Sequence, residues 1–274
     1  MLPHWTQGDV DVNGVKIHYY RTGDGSKPAL VLAHGFSDGG LCWLPVARDL
    51  EADFDVVLPD ARGHGLSQRL QTGEHIDQVA DLAGLIRSLQ LNRPVVGGHS
   101  MGAGVSAALG ARFPDLARAL ILEDPPWWLP RPEAEEKPKD EEPKENPYHA
   151  WLKSLESATI EEVIAKCRAD SPTWAEVELR PWAETKMQFD PVFFTTEGEW
   201  MDWQEILGRL IVPTLLIKGD HEKGAIVTPD VAQRAVEINP LVQVADIAGV
   251  GHNIRRENYP DFMAALRRFL QELD

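Results

Sequence analysis

Gly98-His99-Ser100-Met101-Gly102 sets a serine between two glycines, each two residues away. A Gly-x-Ser-x-Gly match arises by chance in about one chain in ten of this length, given ordinary glycine and serine usage. Its surroundings give this one meaning. The buried-strand run Pro94-Val95-Val96 precedes it, and the small-residue stretch from Met101 to Ala111 reads as a helix. So sharp a strand-to-helix turn forces unusual backbone angles on the serine, and only glycine-sized neighbours clear the crossing. The turn lifts the hydroxyl above the sheet and aims it at the helix N-terminus, whose unpaired N–H groups stabilise negative charge. Ser100 is the candidate nucleophile. The competing reading is a glycine-rich turn with no chemistry.

A serine nucleophile needs a base, and the chain has nine histidines. His99 lies inside the turn itself, and His34 follows a strand-like run. His64 and His75 sit in polar, surface-like stretches, and His221 in a charged loop. His252 alone follows a strand-like run, Val242 to Ile247, through the glycines Gly249 and Gly251, which would expose it at the sheet edge. It is the candidate base.

With these residues in place the chain resembles the α/β-hydrolase family over nearly its whole length. His34-Gly35-Phe36 follows the third strand, where the family places a loop with one oxyanion donor. Asp60-Ala61-Arg62-Gly63-His64-Gly65-Leu66-Ser67 is similar to the family's Asp-x-Arg-Gly-x-Gly-x-Ser segment, and Gly251-His252 to the Gly-His that carries its base. The resemblance implies an oxyanion hole made by the backbone N–H groups of Phe36 and Met101. It also implies an acid just past the strand Thr214 to Lys218, where Asp220 and Glu222 both qualify. Many members carry the acid three residues after such a glycine as Gly219, which points to Glu222. Extra residues before Val227 let the register slip, and the short side chain nearest the strand end favours Asp220. Asp124, at the end of the preceding strand, is the third candidate.

The reaction expected is acyl transfer. His252 takes the Ser100 proton, the alkoxide attacks an ester carbonyl, and water later hydrolyses the acyl-enzyme. The expected activity is hydrolysis of carboxylic ester or lactone bonds in small to medium apolar substrates, with no metal and no organic cofactor. Carbon–carbon bond hydrolases, cofactor-free lyases and perhydrolases of haloperoxidase type share such a serine turn and stay open. So does a non-catalytic binding protein on the same scaffold. A serine at position 100 sets aside relatives that open epoxides or displace halides with an aspartate.

The elements that must position these residues are short. Val15 to Tyr20 alternates with period two. Ala29–Ala33, Asp55–Leu58, Pro94–Val96 and Ala119–Leu122 are continuous apolar runs, expected of strands covered on both faces. Helical stretches near 41–51, 75–90 and 101–112 fall between them, and strand–helix alternation returns after about 212. This predicts an α/β fold, a doubly wound, mostly parallel sheet flanked by helices. The core is expected over 1–125 and 211–274, with 126–210 inserted between two strands as a helical cap.

The insertion has two compositions. Seven acidic residues and three lysines fall between Glu133 and Glu145, among prolines, and this part reads as a solvated, mobile loop. From about 148 to 205 the chain is helical and carries Trp151, Trp174, Trp182, Trp200 and Trp203. Indoles so concentrated point to an apolar ligand or to a core private to the cap. Trp127, Trp128 and His34 are the candidate substrate contacts.

Bulk composition narrows the partners. Acidic residues outnumber basic ones, 43 to 27, for a formal charge of −16. Such a charge repels nucleic-acid phosphates and anionic membrane surfaces. Cys42 and Cys167 show neither disulfide nor metal-ligand spacing, and no leader or membrane-spanning run is evident. The expected setting is the cytoplasm and the expected partner a small-molecule ester; the oligomeric state is left open.

Overall fold

The computed structural model describes residues 2–129, 147–198 and 201–273. The chain builds β1 (Thr6–Val12), β2 (Val15–Arg21), β3 (Ala29–Ala33), α1 (Leu44–Leu50), β4 (Asp55–Pro59), α2 (Gln78–Ser88), β5 (Val95–His99), α3 (Met101–Arg112) and β6 (Ala119–Glu123). After these come α4 (Pro147–Ser154), α5 (Ile160–Asp170), α6 (Glu176–Gln188) and α7 (Trp203–Arg209). The rhythm then resumes with β7 (Thr214–Lys218), α8 (Pro229–Ile238), β8 (Val242–Asp246), α9 (Ile254–Glu257) and α10 (Tyr259–Gln271).

All eight strands join one sheet in the order β1-β2-β4-β3-β5-β6-β7-β8. From β4 to β8 every pairing is parallel; β1 and β2 add an antiparallel hairpin at one edge. The mostly parallel, doubly wound sheet is the one the apolar runs predict. β3, β5 and β6 lie side by side at its centre, so the loops after them meet at one edge. The hairpin strand β1 has no apolar run to mark it in the sequence. Its TQGDVDV sequence is half polar and mostly exposed, and it is held by backbone pairing with β2 through an Asn13-Gly14 turn in which both residues have positive φ.

Two cores cover the two faces. One gathers Leu82, Leu85, Ile86, Leu109 and Val231 from α2, α3 and α8. The other gathers Trp43, Leu50, Phe262, Leu266 and Phe269 around α1 and α10. A third, smaller core of Leu152, Leu155, Val163, Ala183 and Phe189 holds α4 to α6 together as a helical cap between β6 and β7. α7 falls within the expected insertion, yet its Trp203, Ile206 and Leu207 pack in the main core, as does Trp127. The acidic segment Glu133 to Glu145 and Trp200 lie outside the described residues. Among the described residues no helix is long and apolar enough to cross a membrane.

Candidate active site

Ser100 stands between β5 and α3 with φ 51° and ψ −117°. A non-glycine residue held there costs about 1–3 kcal/mol, which the surroundings must offset. The Ser100 N–H donates to the Glu123 carbonyl at 2.9 Å, and its carbonyl accepts from Gly104 N–H at 3.0 Å. A Cβ on Gly98 would come within 2.4 Å of the Gly102 backbone, so strand and helix cross at this spacing only with glycine. The expected turn is there, with the expected strain.

His252 follows β8 and is partly exposed. Its Nδ1 is 2.6 Å from Oδ2 of Asp124, whose side chain is fully buried. Asp124 also accepts from the N–H groups of Ile226 and Val227 at 2.8 and 2.9 Å. Three donors compensate the cost of burying this carboxylate. The contact fixes the imidazole with Nδ1 protonated and Nε2 left to accept.

The structure does not bring the favoured acid, Asp220, to this ring. Asp220 does follow β7, but its Oδ2 accepts from the Gly249 N–H at 2.7 Å and its own N–H donates to the Val250 carbonyl at 2.7 Å. It staples two loops and does not touch His252. Glu222 is exposed in the same loop. The physical reason lies in the strand order. β6 adjoins β5, so a residue just past β6 stands one strand from the nucleophile, and the Ile226–Val227 turn after β7 supplies the amides that hold it. Asp124 itself has φ 43°, a left-handed conformation uncommon for a residue other than glycine.

His99 links turn and base. Its Nε2 donates to the His252 carbonyl at 2.9 Å, and the two rings lie 4.6 Å apart. Burial first, and the neighbouring His252 second, hold its pKa well below the usual imidazole range, so it is neutral.

The loop of His34, Gly35 and Phe36 follows β3. The backbone N–H groups of Phe36 and Met101 donate no hydrogen bond among the described residues. His34, expected to touch substrate, is buried with both nitrogens occupied. Nε2 accepts from Ala61 N–H at 2.9 Å, and Nδ1 donates to the Gly35 carbonyl at 2.8 Å. Both contacts tie it to neighbouring backbone. His64, read as surface-like, is fully buried against Phe36, Phe189 and Phe193. Burial pushes the pKa values of both down.

The tryptophans divide by place. Trp127 is buried and stacks on Trp203 at 5.5 Å inside the main core. Trp128 is 63% exposed. In the cap Trp151 stacks on Trp182, which meets Trp174 edge-on. The cap's aromatic face toward Phe36 is mainly phenylalanine, with Phe189, Phe193 and Phe194 all within 6 Å of the Phe36 ring and Tyr148 and His149 just beyond them at 6.3 and 6.1 Å. Among the described residues no cluster of three or more histidines, cysteines or carboxylates could hold a metal ion.

The alpha/beta hydrolase fold model matches residues 28–258. The chain is 29% identical over 272 residues to an N-formylmaleamate deformylase of Pseudomonas putida, covering 96% of each. The crystal structure of an N-formylmaleamic acid deformylase from Pseudomonas putida S16 aligns with a TM-score of 0.76 at 23% identity, over 95% of this chain and all of that one. A thermophilic esterase from Thermogutta terrifontis aligns with a TM-score of 0.69 at 23% identity, over 98% and 99% of the two chains. The strained serine at the end of β5, the Gly-His loop after β8 and a family match across most of the chain agree: this protein belongs to the alpha/beta hydrolase fold family, and it is a hydrolase of that fold.

Proposed function

We propose that the protein is a serine hydrolase that cleaves carboxylic acyl compounds through an acyl-enzyme, with Ser100 as nucleophile, His252 as base and Asp124 as the acid that orients it. The observation that carries this reading is the 2.6 Å contact between His252 and the buried Asp124, beside a serine held at φ 51°. Asp124 leaves Nε2 of His252 as the proton acceptor. As Ser100 Oγ bonds to the acyl carbon, its proton passes to Nε2, and the carbonyl π electrons move onto oxygen. The Phe36 and Met101 N–H groups receive that oxyanion, and each such donor is worth about 10²–10³ in rate. Collapse expels the leaving group, which takes the proton from His252. Water then repeats the sequence on the acyl-enzyme, and no cofactor enters.

The first substrate class is an ester or lactone with a small to medium apolar acyl part, since the loop bearing the oxyanion donor is packed beneath a phenylalanine-rich cap wall. A second reading, an N-acyl substrate, is favoured by the end-to-end similarity to an N-formylmaleamate deformylase. Both classes pass through the same intermediate and differ in whether an alcohol or an amine leaves.

A fluorophosphonate probe with peptide mapping tests the nucleophile, alongside turnover of matched p-nitrophenyl esters and N-acyl anilides. Labelling should fall on Ser100, and Ser100→Ala should lower turnover by about four to six orders of magnitude while leaving the fold intact. Turnover above about a tenth of wild type in that variant would remove Ser100 from the role. The ratio of ester to anilide turnover decides between the two substrate classes.

A further inference from the structure

We propose that Lys186, on cap helix α6, is a positioning residue: its ammonium pins the Phe36–Asp38 turn and so sets the Phe36 N–H where the oxyanion forms. The proposal rests on the serine-hydrolase reading above for the identity of that donor. The Asp38 N–H donates to the Gly35 carbonyl at 3.0 Å and closes a tight turn, with Phe36 and Ser37 at its centre. Ser37 sits at φ 58°, a conformation a serine does not hold without support. Lys186 Nζ supplies it through three contacts: the Ser37 carbonyl at 3.1 Å, Ser37 Oγ at 3.0 Å and Asp38 Oδ1 at 2.6 Å. The Ser37 hydroxyl in turn donates to the Phe36 carbonyl at 2.7 Å. The two peptide groups flanking Ser37 are thus tied to one buried cation from another layer of the fold.

The same cation is tied to the base side of the site. Asp38 also faces Arg256 at 3.2 Å and Arg255 at 4.0 Å, on the helix that begins two residues after His252. Arg255 pairs with Glu123 at 2.8 Å, and Arg256 with Glu178 of α6 at 3.3 Å. Three cations and three carboxylates therefore join the oxyanion loop, the end of β6, the cap and α9. Burial alone would raise the Asp38 pKa, yet the cations around it hold the carboxyl well below its usual range. Trp182 and Trp174 cover two of these cations, with Nζ of Lys186 5.2 Å and the Arg256 guanidinium 4.6 Å from the ring centres. The cap tryptophans act here as the lid of an ionic clasp.

Removing Lys186 leaves two cations for three carboxylates, but Asp38 still faces both arginines and is not left unpaired, so Lys186→Met is the variant to make. A residue that only fastened the cap would change KM. One that sets an oxyanion donor changes kcat and the binding of transition-state mimics together. In Lys186→Met, kcat should fall about 30-fold, below the full loss of a donor. KM should stay within about threefold, and affinity for an alkyl trifluoromethyl ketone, whose hemiketal oxygen occupies the oxyanion position, should fall by the same factor as kcat. A rise in KM with kcat preserved, or unchanged ketone affinity, would overturn the proposal. Lys186→Gln gives the same readings should the methionine variant not fold, and wild-type values there count equally against it. If the probe does not label Ser100 in the wild-type protein, the serine-hydrolase reading has failed and the clasp is judged by amide hydrogen exchange at residues 36–38. Faster exchange in Lys186→Met supports the pinning, and unchanged exchange overturns it.

Discussion

Asp220 accepts a hydrogen bond from the Gly249 N–H at 2.7 Å, which closes the loop after β7 onto the loop that leads to His252. The carboxylate expected to orient the base therefore acts on the backbone around it, while Asp124 holds the ring. The two roles have different signatures. Asp124→Asn should lower kcat by about 10⁴, the scale of a histidine held in the wrong tautomer. Asp220→Asn should cost about 1 kcal/mol of stability and less than about tenfold in kcat. Steady-state kinetics and urea unfolding on both variants check this, and the reverse ranking would return the role to Asp220.

Gly35 packs against the serine turn. A Cβ there would fall 2.7 Å from His99 Nδ1 and 3.5 Å from Ser100 Cβ. Gly35→Ala must therefore push the loop away from the nucleophile. Since a misplacement of about 1 Å costs on the order of 10²-fold, kcat should fall by about 10- to 100-fold. The protein should remain folded by circular dichroism, and a variant with wild-type kcat would show that the loop moves without consequence.

The tryptophans separate by burial. Trp127→Ala opens a cavity in the main core against Trp203 and should cost about 3–5 kcal/mol. Its effect on turnover should be equal for acetate and long-chain esters. Trp128→Ala removes a 63% exposed ring and should change stability by no more than about 0.5 kcal/mol. Denaturant unfolding with a kinetic profile over acyl-chain length makes the test. A KM that rises only for long esters in Trp127→Ala would assign that ring to the pocket.

His34, His64 and His99 are buried, and burial is the first cause holding each pKa below the ordinary imidazole value. In the unfolded chain each takes up a proton near pH 6.5. Between that pH and the lower folded value, the unfolded state binds more protons. Stability is thus complete above the unfolded value and is lost as pH falls toward the folded one. Each histidine contributes a slope of up to about 1.4 kcal/mol per pH unit. His64→Gln should flatten the dependence of unfolding free energy by about that amount between about pH 5 and 7. Identical slopes in variant and wild type would show that His64 takes up its proton in the folded protein. Asp38 adds loss of the same sign only at lower pH, because the Arg256 and Lys186 charges hold its folded pKa well below the usual range.

What the sequence determined is what local pattern determines. Continuous apolar runs specify strands buried on both faces, and the serine turn is legible because strand, glycines and small-residue helix are adjacent in the chain. β5 runs further than its apolar residues suggest, to His99, because Gly97 and Gly98 are pairing backbone and carry no hydrophobic signal. β1 escaped for the related reason that pairing with a neighbour, not side-chain pattern, makes it a strand. Strand order is a tertiary property. It puts the end of β6 beside the nucleophile and so gives His252 to Asp124, 128 residues earlier in the chain, where spacing along the sequence favoured the loop after β7. Burial of polar groups is tertiary as well. His64 looks solvated between an arginine and glycines, and Lys186 looks like one more surface charge, until the cap packs over both. A cation's partners are set by which elements meet, and those of Lys186 lie almost 150 residues away, on the loop that bears the Phe36 amide.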